Sequence, residues 1–188
     1  MNKKIGAAGA LVDLLAVLGF AVCMLLDFDS GSYFCSMFIA FGFVIMMCGF
    51  LRFASPERKT AGYTAAAFSA VYAAIILIVY FTQLTTVRLT ALTEQTRELL
   101  DFQQMGMFFS LDLLGYALMS LATFFAGLTV EPKDKPSKWL WALLMIHGVF
   151  FISCLIMPML GVFQADSPAW IGVAALSLHY FRGQAEQK

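Results

Sequence analysis

Four polar side chains within one apolar stretch are the strongest candidates for chemistry in this sequence. They lie three or four residues apart and so follow one face of a helix: Asp112, Tyr116, Ser120 and Thr123. A carboxylate in the middle of a membrane helix costs about 2.5 to 3.5 kcal/mol on insertion scales, so its presence requires a partner, a proton or a function. We predict a ligand, ion or proton site on this face. A hydrogen-bonded seam between helices is the structural alternative.

Two further ionisable side chains fall within apolar stretches. Asp13 shares a helical face with Gly9 and Ala16, where a neighbouring helix could approach closely and provide a partner. His147 could titrate near neutral pH if a carboxylate lay beside it. Each has a structural alternative, as a paired or hydrogen-bonded packing residue. We include both residues in the candidate polar site.

The sequence contains no motif that indicates a reaction or a cofactor. We find no His-Glu-x-x-His, no Gly-x-Ser-x-Gly and no Gly-rich phosphate-binding loop with lysine. The cysteines form no Cys-x-x-Cys pair, so neither a metal site nor a thiol-redox motif is predicted: Cys23, Cys35, Cys48 and Cys154. Cys23 and Cys35 flank a short predicted turn at the outer membrane face, where a disulfide could form. The sequence leaves open whether they are oxidised or buried as thiols.

The composition is that of an integral membrane protein. Of the 188 residues, 61% are hydrophobic and 13% are charged, whereas soluble domains carry about 25% charged residues. The formal net charge is zero, which removes the broad electrostatic attraction needed for nucleic acid. We therefore predict a lipid bilayer as the environment and no nucleic-acid partner.

Six stretches are long and apolar enough to span a bilayer, which requires about 20 residues per helix. Tyr33 and Tyr80 lie near stretch ends, where interfacial aromatics are common. We predict a single all-α domain over 1–188, a polytopic bundle of six transmembrane helices. The predicted spans are 5–26, 33–53, 61–82, 107–130, 139–160 and 168–181.

Lysine and arginine define the predicted orientation, because short loops rich in them stay on the cytoplasmic side. With the amino terminus inside, only Arg88 and Arg97 fall outside. The other ten cations would be cytoplasmic: Lys3, Lys4, Arg52, Arg58, Lys59, Lys133, Lys135, Lys138, Arg182 and Lys188. We predict that both termini are cytoplasmic and that the membrane is a bacterial plasma membrane.

Two local signals lie outside this regular pattern. The external segment 83–106 contains Thr93 as a helix cap and Glu94 at the positive helix end, which predicts an amphipathic external helix. That helix could be a packed cap or a lid over an outward-facing cavity. Pro158 removes a backbone hydrogen bond and predicts a kinked or unwound end for the fifth span.

Small residues predict close helix packing in two places. In the first span, residues 6–10 are all glycine or alanine. In the third span, small residues recur every four residues, at Gly62, Ala66, Ala70 and Ala74. Packing within the bundle is the expected role, and a docking surface for a second membrane protein is the alternative. A faint repeat, Asp13-Leu14-Leu15 and Asp112-Leu113-Leu114, would make the two halves inverted copies.

Three functions are compatible with this pattern. The first is binding or transport of a small molecule, ion or proton through the intramembrane polar site. The second is a membrane subunit or lipid-binding regulator that acts through helix–helix contacts, with a lipid ligand, a membrane-protein partner or a homo-oligomer. The third is an intramembrane enzyme in which Asp112 and His147 converge.

Overall fold

The computed structural model describes residues 2–160, and all regular secondary structure in this part of the chain is helical. Its α-helices are α1 Asn2–Leu25, α2 Asp29–Phe53, α3 Lys59–Thr82, α4 Glu94–Leu100, α5 Met107–Thr129, α6 Lys135–His147 and the short α7 Met157–Met159. Two wide π-helical turns, Gln83–Val87 and Ile152–Ile156, follow α3 and precede α7, and a 3-10 turn, Pro56–Arg58, precedes α3.

Within residues 2–160, five helical segments are long and apolar enough to cross a membrane: Asn2–Leu25, Asp29–Phe53, Pro56–Val87, Met107–Thr129 and Lys135–Met159. They correspond to the first five predicted spans. The sixth predicted span, 168–181, lies outside the described residues, as does the predicted carboxyl-terminal orientation. Multi-pass association with a lipid bilayer follows from these five helices.

Two helices extend beyond the predicted spans. The helical segment of the third span continues through Gln83–Val87, past the predicted end at position 82. The fifth starts at Lys135 because Asp134 caps the helix: its carboxylate accepts a hydrogen bond from the Ser137 nitrogen at 2.9 Å, and Ser137 Oγ accepts one from the Asp134 nitrogen at 3.0 Å. Such capping chemistry lies outside the apolar stretch, which is why hydropathy alone misses it.

A short helix, α4, is present in the segment for which an external helix is predicted. Thr93 is its N-cap, and its hydroxyl accepts a hydrogen bond from the Thr96 nitrogen at 3.3 Å. Glu94 stands in the first turn, where a negative charge favours the helix dipole. The helix is short and has no buried residue of its own, so its position depends on the segment that follows it.

At one end of the bundle, here called the Arg58 end, cationic side chains donate hydrogen bonds to carbonyl groups at helix ends. The Arg58 guanidinium donates to the carbonyl oxygens of Leu128 at 3.2 Å and Val130 at 2.8 Å. The Lys59 ammonium donates to the carbonyl oxygen of Leu51 at 2.8 Å. The last carbonyl groups of a helix have no partner within it, so these cations stabilise the ends of α5 and α2. The opposite end, which carries α4, is called the Asp112 end.

The centre of the described bundle is formed by α2, α3 and α5. Helix α1 packs mainly on α2, and α6 packs mainly on α5. Most α1 side chains are exposed, as suits a helix that faces lipid, whose tails are as apolar as leucine. The buried core consists of Ala40, Phe43, Met47, Ala65, Tyr72, Ala73, Ile76, Val79, Tyr80, Phe108, Ala122 and Ala126.

Glycines allow α1 and α2 to approach closely, as predicted for the first span. A Cβ atom at Gly42 would lie 2.6 Å from the backbone nitrogen of Asp13, and one at Gly9 would lie 2.9 Å from the backbone nitrogen of Met46. Neither distance leaves room for a side chain. The distance between the α1 and α2 backbones is therefore confined to a narrow range.

The small residues of α3 behave differently from the prediction. Gly62 is buried, and a Cβ atom there would lie 2.9 Å from Leu51 Cα. Ala70 and Ala74 are exposed, so the expectation that they pack within the bundle is wrong for this part of the chain. Steps of four residues rotate about 40° further than a helical turn, so the stripe leaves the buried face.

The predicted irregular end of the fifth span is confirmed. The wide turn Ile152–Ile156 and the three-residue α7 surround Pro158, which has no N–H to donate. The helix is also interrupted after His147, which was not predicted. A Cβ atom at Gly148 would lie 2.8 Å from Phe124 Cβ, so the interruption coincides with a close approach of α6 to α5.

Candidate functional site

Asp112 is buried near the Asp112 end of the bundle. It lies in the second turn of α5 and is 7% exposed. Its Oδ1 atom is buried and has no hydrogen-bond partner among residues 2–160. Burying a carboxyl oxygen without a partner is unfavourable, so this atom has unused capacity to hold a proton or a ligand.

Hydroxyl groups on α2, α3 and α5 form a chain of polar partners that ends at this carboxyl. The Tyr80 hydroxyl on α3 is a polar partner of both Asp112 and Tyr116. Tyr116 on α5 is also a polar partner of Ser36 on α2. We call Ser36, Tyr80, Asp112 and Tyr116 the Asp112 cluster. Cys154, on the wide turn of the fifth span, interacts electrostatically with Asp112.

Aromatic rings cover the cluster on the side of the external segment. Tyr33 stacks on Tyr80 with ring centroids 5.2 Å apart, and Phe102 lies 5.8 Å from Tyr33 and 6.1 Å from Tyr80. We call Tyr33, Tyr80 and Phe102 the aromatic cap. The segment that carries Phe102 is anchored by the Gln83 side chain, whose Nε2 donates to the Leu100 carbonyl at 2.6 Å. The segment that carries Phe102 therefore packs on Tyr80, the polar partner of the carboxyl.

Ser120 and Thr123 continue the predicted polar face and are buried, but they do not enlarge the cluster. The Ser120 hydroxyl donates to the Tyr116 carbonyl at 2.9 Å, and the Thr123 hydroxyl donates to the Met119 carbonyl at 2.8 Å. Both hydroxyls are thus satisfied by the preceding turn of α5. Of the four residues of the predicted face, the structure places Asp112 and Tyr116 together with polar partners from other helices.

Asp13 lies at the closely packed α1–α2 interface. It is half-buried, and its Oδ1 atom has no hydrogen-bond partner in the described part of the chain. The close helix approach was predicted; the carboxyl partner that it was expected to provide is not seen within residues 2–160. Tyr72 of α3 is near enough to interact electrostatically with both Asp13 and Asp112.

His147 is not brought to the Asp112 cluster. It is the last residue of α6, its ring packs against Phe150 with centroids 5.5 Å apart, and its Nδ1 atom is buried without a partner among the residues described. Cys154, and not His147, is the side chain of the fifth span that interacts with Asp112. Over positions 2–160, no group of three or more histidine, cysteine or acidic side chains could hold a metal ion.

Sequence reasoning missed the residues that surround Asp112 from other helices. The sequence predicts Tyr33 and Tyr80 only as interfacial aromatics and gives no site role to Ser36. A signal was present: Ser32 and Ser36 lie one helical turn apart, and both are buried on α2. Polar residues at one-turn spacing in an otherwise apolar helix indicate a face turned toward other helices.

A separate groove of about 830 Å³ opens at the Arg58 end, between α1, α2 and the α5–α6 connection. Small residues of α1, including Gly6 and Ala10, line one side, and Lys3 and Lys133 lie at its rim. Lys133 forms an ion pair with Glu131 and lowers the pKa of that carboxyl group. The groove does not include Asp112, so it is distinct from the Asp112 cluster.

No protein family, curated protein or solved structure matches this chain. Its function is therefore argued from its own residues.

Proposed function

We propose that this chain is a multi-pass membrane protein that binds or transports a proton or a small cation at the Asp112 cluster. One observation carries the proposal: Asp112 is 7% exposed, and one of its oxygen atoms is buried without a hydrogen-bond partner among residues 2–160. An unpartnered buried carboxylate is among the least favourable groups in a membrane protein. A bound proton or cation removes that penalty.

The size of the ligand is limited by the surroundings of the carboxyl. The Tyr80 hydroxyl is a direct polar partner of the carboxyl, and such oxygen groups together with carboxylate suit hard cations. A single carboxylate balances one positive charge. A larger solute would need the aromatic cap to separate, whereas a proton or small cation requires only a narrow path.

The proposed topology places the amino terminus in the cytoplasm and the Asp112 end on the outer side. The cations that cap helices at the opposite end, Arg58 and Lys59, would then be cytoplasmic. In this orientation the ligand enters from outside, in a bacterial plasma membrane. The segment with Phe102 would act as a lid over the cluster, because its ring packs on Tyr33 and Tyr80.

The two wide helical turns support a site that changes shape. Gln83–Val87 follows the turn of α3 that contains Tyr80, and Ile152–Ile156 contains Cys154. Turns of this kind occur mostly as local bulges and are frequent at functional sites. Their position next to the Asp112 cluster offers two places where the helices could bend during uptake or release.

A membrane-subunit role is the second candidate function, and the exposure of Ala70 and Ala74 on α3 favours it. Small residues one turn apart on an exposed face let another helix approach closely. Replacing Ala70 with leucine should then dissociate a co-purified complex. An unchanged complex would exclude this surface. The enzyme alternative has less support, because His147 does not accompany Asp112.

Ion flux into liposomes tests the first proposal. The full chain is reconstituted into liposomes that contain a pH-sensitive dye or, in a parallel arm, a sodium-sensitive dye. A potassium gradient with valinomycin provides the driving potential. Wild type should conduct protons or sodium, and Asp112→Asn should reduce the flux at least tenfold. Asp13→Asn is the matched control, since it also removes an unpartnered carboxyl from a membrane span.

A binding measurement covers the case in which the protein binds without transporting. Thermal unfolding in detergent is compared in sodium chloride and choline chloride and over a range of pH. A ligand at 100 times its dissociation constant stabilises the folded state by about 2.7 kcal/mol. The proposal predicts a cation- or proton-dependent shift that Asp112→Asn removes. Equal flux and equal shifts in wild type and in this variant would refute it.

A further inference from the structure

The α1–α2 hairpin brings two cysteine thiols into contact at the Asp112 end of the bundle. Cys23 lies in the last turn of α1 and Cys35 in the second turn of α2, and the two thiols are polar partners. This contact links the helices on either side of the turn formed by residues 26–28. Neither cysteine belongs to the Asp112 cluster.

Glycines direct both sulfur atoms into the helix interface. A Cβ atom at Gly19 would lie 3.0 Å from Cys35 Sγ, and a Cβ atom at Gly31 would lie 2.7 Å from Cys23 Sγ. Each sulfur therefore occupies the space that a glycine leaves on the opposite helix. Both thiols therefore lie at the α1–α2 interface, each against a glycine one helical turn from the other cysteine.

The turn beside the pair is closed by backbone hydrogen bonds and lies close to the predicted membrane boundary. The Phe28 nitrogen donates to the Cys23 carbonyl at 2.9 Å, and Asp27 adopts a left-handed conformation with φ of 51°. Both cysteines are partly exposed. Cys23 is two residues from the end of α1, so a water-soluble reactant can reach it first.

The two remaining cysteines provide internal references. Cys48 is exposed near the Arg58 end of α2, and Cys154 lies in the wide turn of the fifth span. Neither is paired with a second thiol in the part of the chain that the structure covers. Thiol pairing at Cys23 and Cys35 is thus a property of the hairpin and not of cysteine content.

We propose that Cys23 and Cys35 are a reversible dithiol–disulfide pair that clamps α1 to α2 at the Asp112 end. The Cys23 thiolate attacks a disulfide donor, forms a mixed disulfide and releases one donor thiolate. The Cys35 thiolate then attacks the Cys23 sulfur, closes the Cys23–Cys35 bond and releases the second donor thiolate. Two cysteine protons pass to water or to the leaving thiolates, and two electrons pass from the pair to the donor.

In the proposed topology the pair faces the outer side, where disulfides form and persist. A thiol-oxidising protein or a small disulfide would be the donor there, and a thiol reductant would reopen the pair. The closed form would join α1 and α2 covalently one turn from the membrane boundary. The chemistry requires only the hairpin geometry, so it can hold even if the Asp112 proposal fails.

Thiol counting in a variant that keeps only this pair tests the proposal. The full-length Cys48→Ser/Cys154→Ser protein, in detergent, is treated with oxidised glutathione and then with a maleimide reagent. We expect two labelled thiols before oxidation and none after it, with an intact mass lower by two hydrogen atoms. Peptide mapping should find a bond between Cys23 and Cys35 in monomeric protein, and dithiothreitol should restore both thiols.

A displaced thiol is the matched control. In the same background, Cys35→Ser with Phe34→Cys moves the thiol by one residue onto an exposed side chain position. This variant should close at least tenfold more slowly than the pair with Cys35. The proposal is overturned if both native thiols stay reactive, if each carries its own glutathione, if the bond joins two chains, or if the displaced thiol closes equally fast.

Discussion

Asp112 and Asp13 are both carboxylates inside predicted membrane spans, and each has one buried oxygen atom without a hydrogen-bond partner in the described chain. Their surroundings differ. Asp112 has Tyr80 of α3 as a polar partner and is linked through Tyr80 and Tyr116 to Ser36 of α2. Asp13 is half-buried on a peripheral helix, and the group that packs against its backbone is Gly42.

These surroundings make Asp112 a candidate ligand site and Asp13 a helix-packing position. A ligand site needs several polar groups that converge from different elements, and only the Asp112 surroundings provide them. At Asp13 the backbones of α1 and α2 are in direct contact, which defines how closely the helices lie but offers few polar partners. Substitutions near Asp13 should therefore alter stability, whereas substitutions near Asp112 should alter ligand binding.

The largest expected effect is on the stability of the α1–α2 interface. Gly42→Val should destabilise the protein by about 3 kcal/mol, because the new side chain would meet the backbone of α1, and overpacking typically costs 1 to 3 kcal/mol. Gly49→Ala is the matched control, since its Cβ atom would lie 3.4 Å from Gly6 Cα, an ordinary contact. Thermal unfolding of the purified variants measures both. Similar melting temperatures for the two variants would contradict this view of the interface.

The next effect concerns the hydroxyl beside the Asp112 carboxyl. Tyr80→Phe keeps the stacked ring but removes the polar partner of Asp112, and a hydrogen bond to a charged group contributes about 1.5 to 3 kcal/mol. We expect at least tenfold weaker proton or cation binding with little change in melting temperature. Tyr33→Phe, which removes a hydroxyl from the same ring stack, should retain most of the binding. An equal loss of binding in both variants would show that the Tyr80 hydroxyl has no special role beside Asp112.

The smallest expected effect concerns the anchor of the external segment. Gln83→Leu removes the hydrogen bond from Nε2 to the Leu100 carbonyl, which should weaken that segment by about 1 kcal/mol. Amide hydrogen exchange in residues 100–106 should be about fivefold faster, since 1.4 kcal/mol corresponds to a factor of ten. Gln95→Leu, on the exposed surface of α4, should leave the exchange unchanged. Unchanged exchange in Gln83→Leu would mean that other contacts hold the aromatic cap.

The sequence predicts the five described spans because each needs only a long apolar stretch, and it predicts α4 because Thr93 and Glu94 form a recognisable helix start. It cannot predict the wide turn at Gln83–Val87 or the interruption at Gly148, since these depend on how neighbouring helices pack. The buried position of Asp112 follows from the periodicity of α5 alone. Its partners Tyr80 and Ser36 belong to other helices, and the periodicity of one helix does not say which helices lie beside it.

The Asp112 carboxyl can be observed directly by infrared difference spectroscopy. Wild type, Asp112→Asn and Asp13→Asn are placed in lipid nanodiscs, and spectra are recorded while protons or sodium ions are added. We expect a C=O stretching band of a carboxyl group that is shielded from water. This band should change on addition of the ligand in wild type and in Asp13→Asn, and it should be missing in Asp112→Asn. A responding band that remains in Asp112→Asn, or no responding band in wild type, would contradict the claim that Asp112 takes up the ligand.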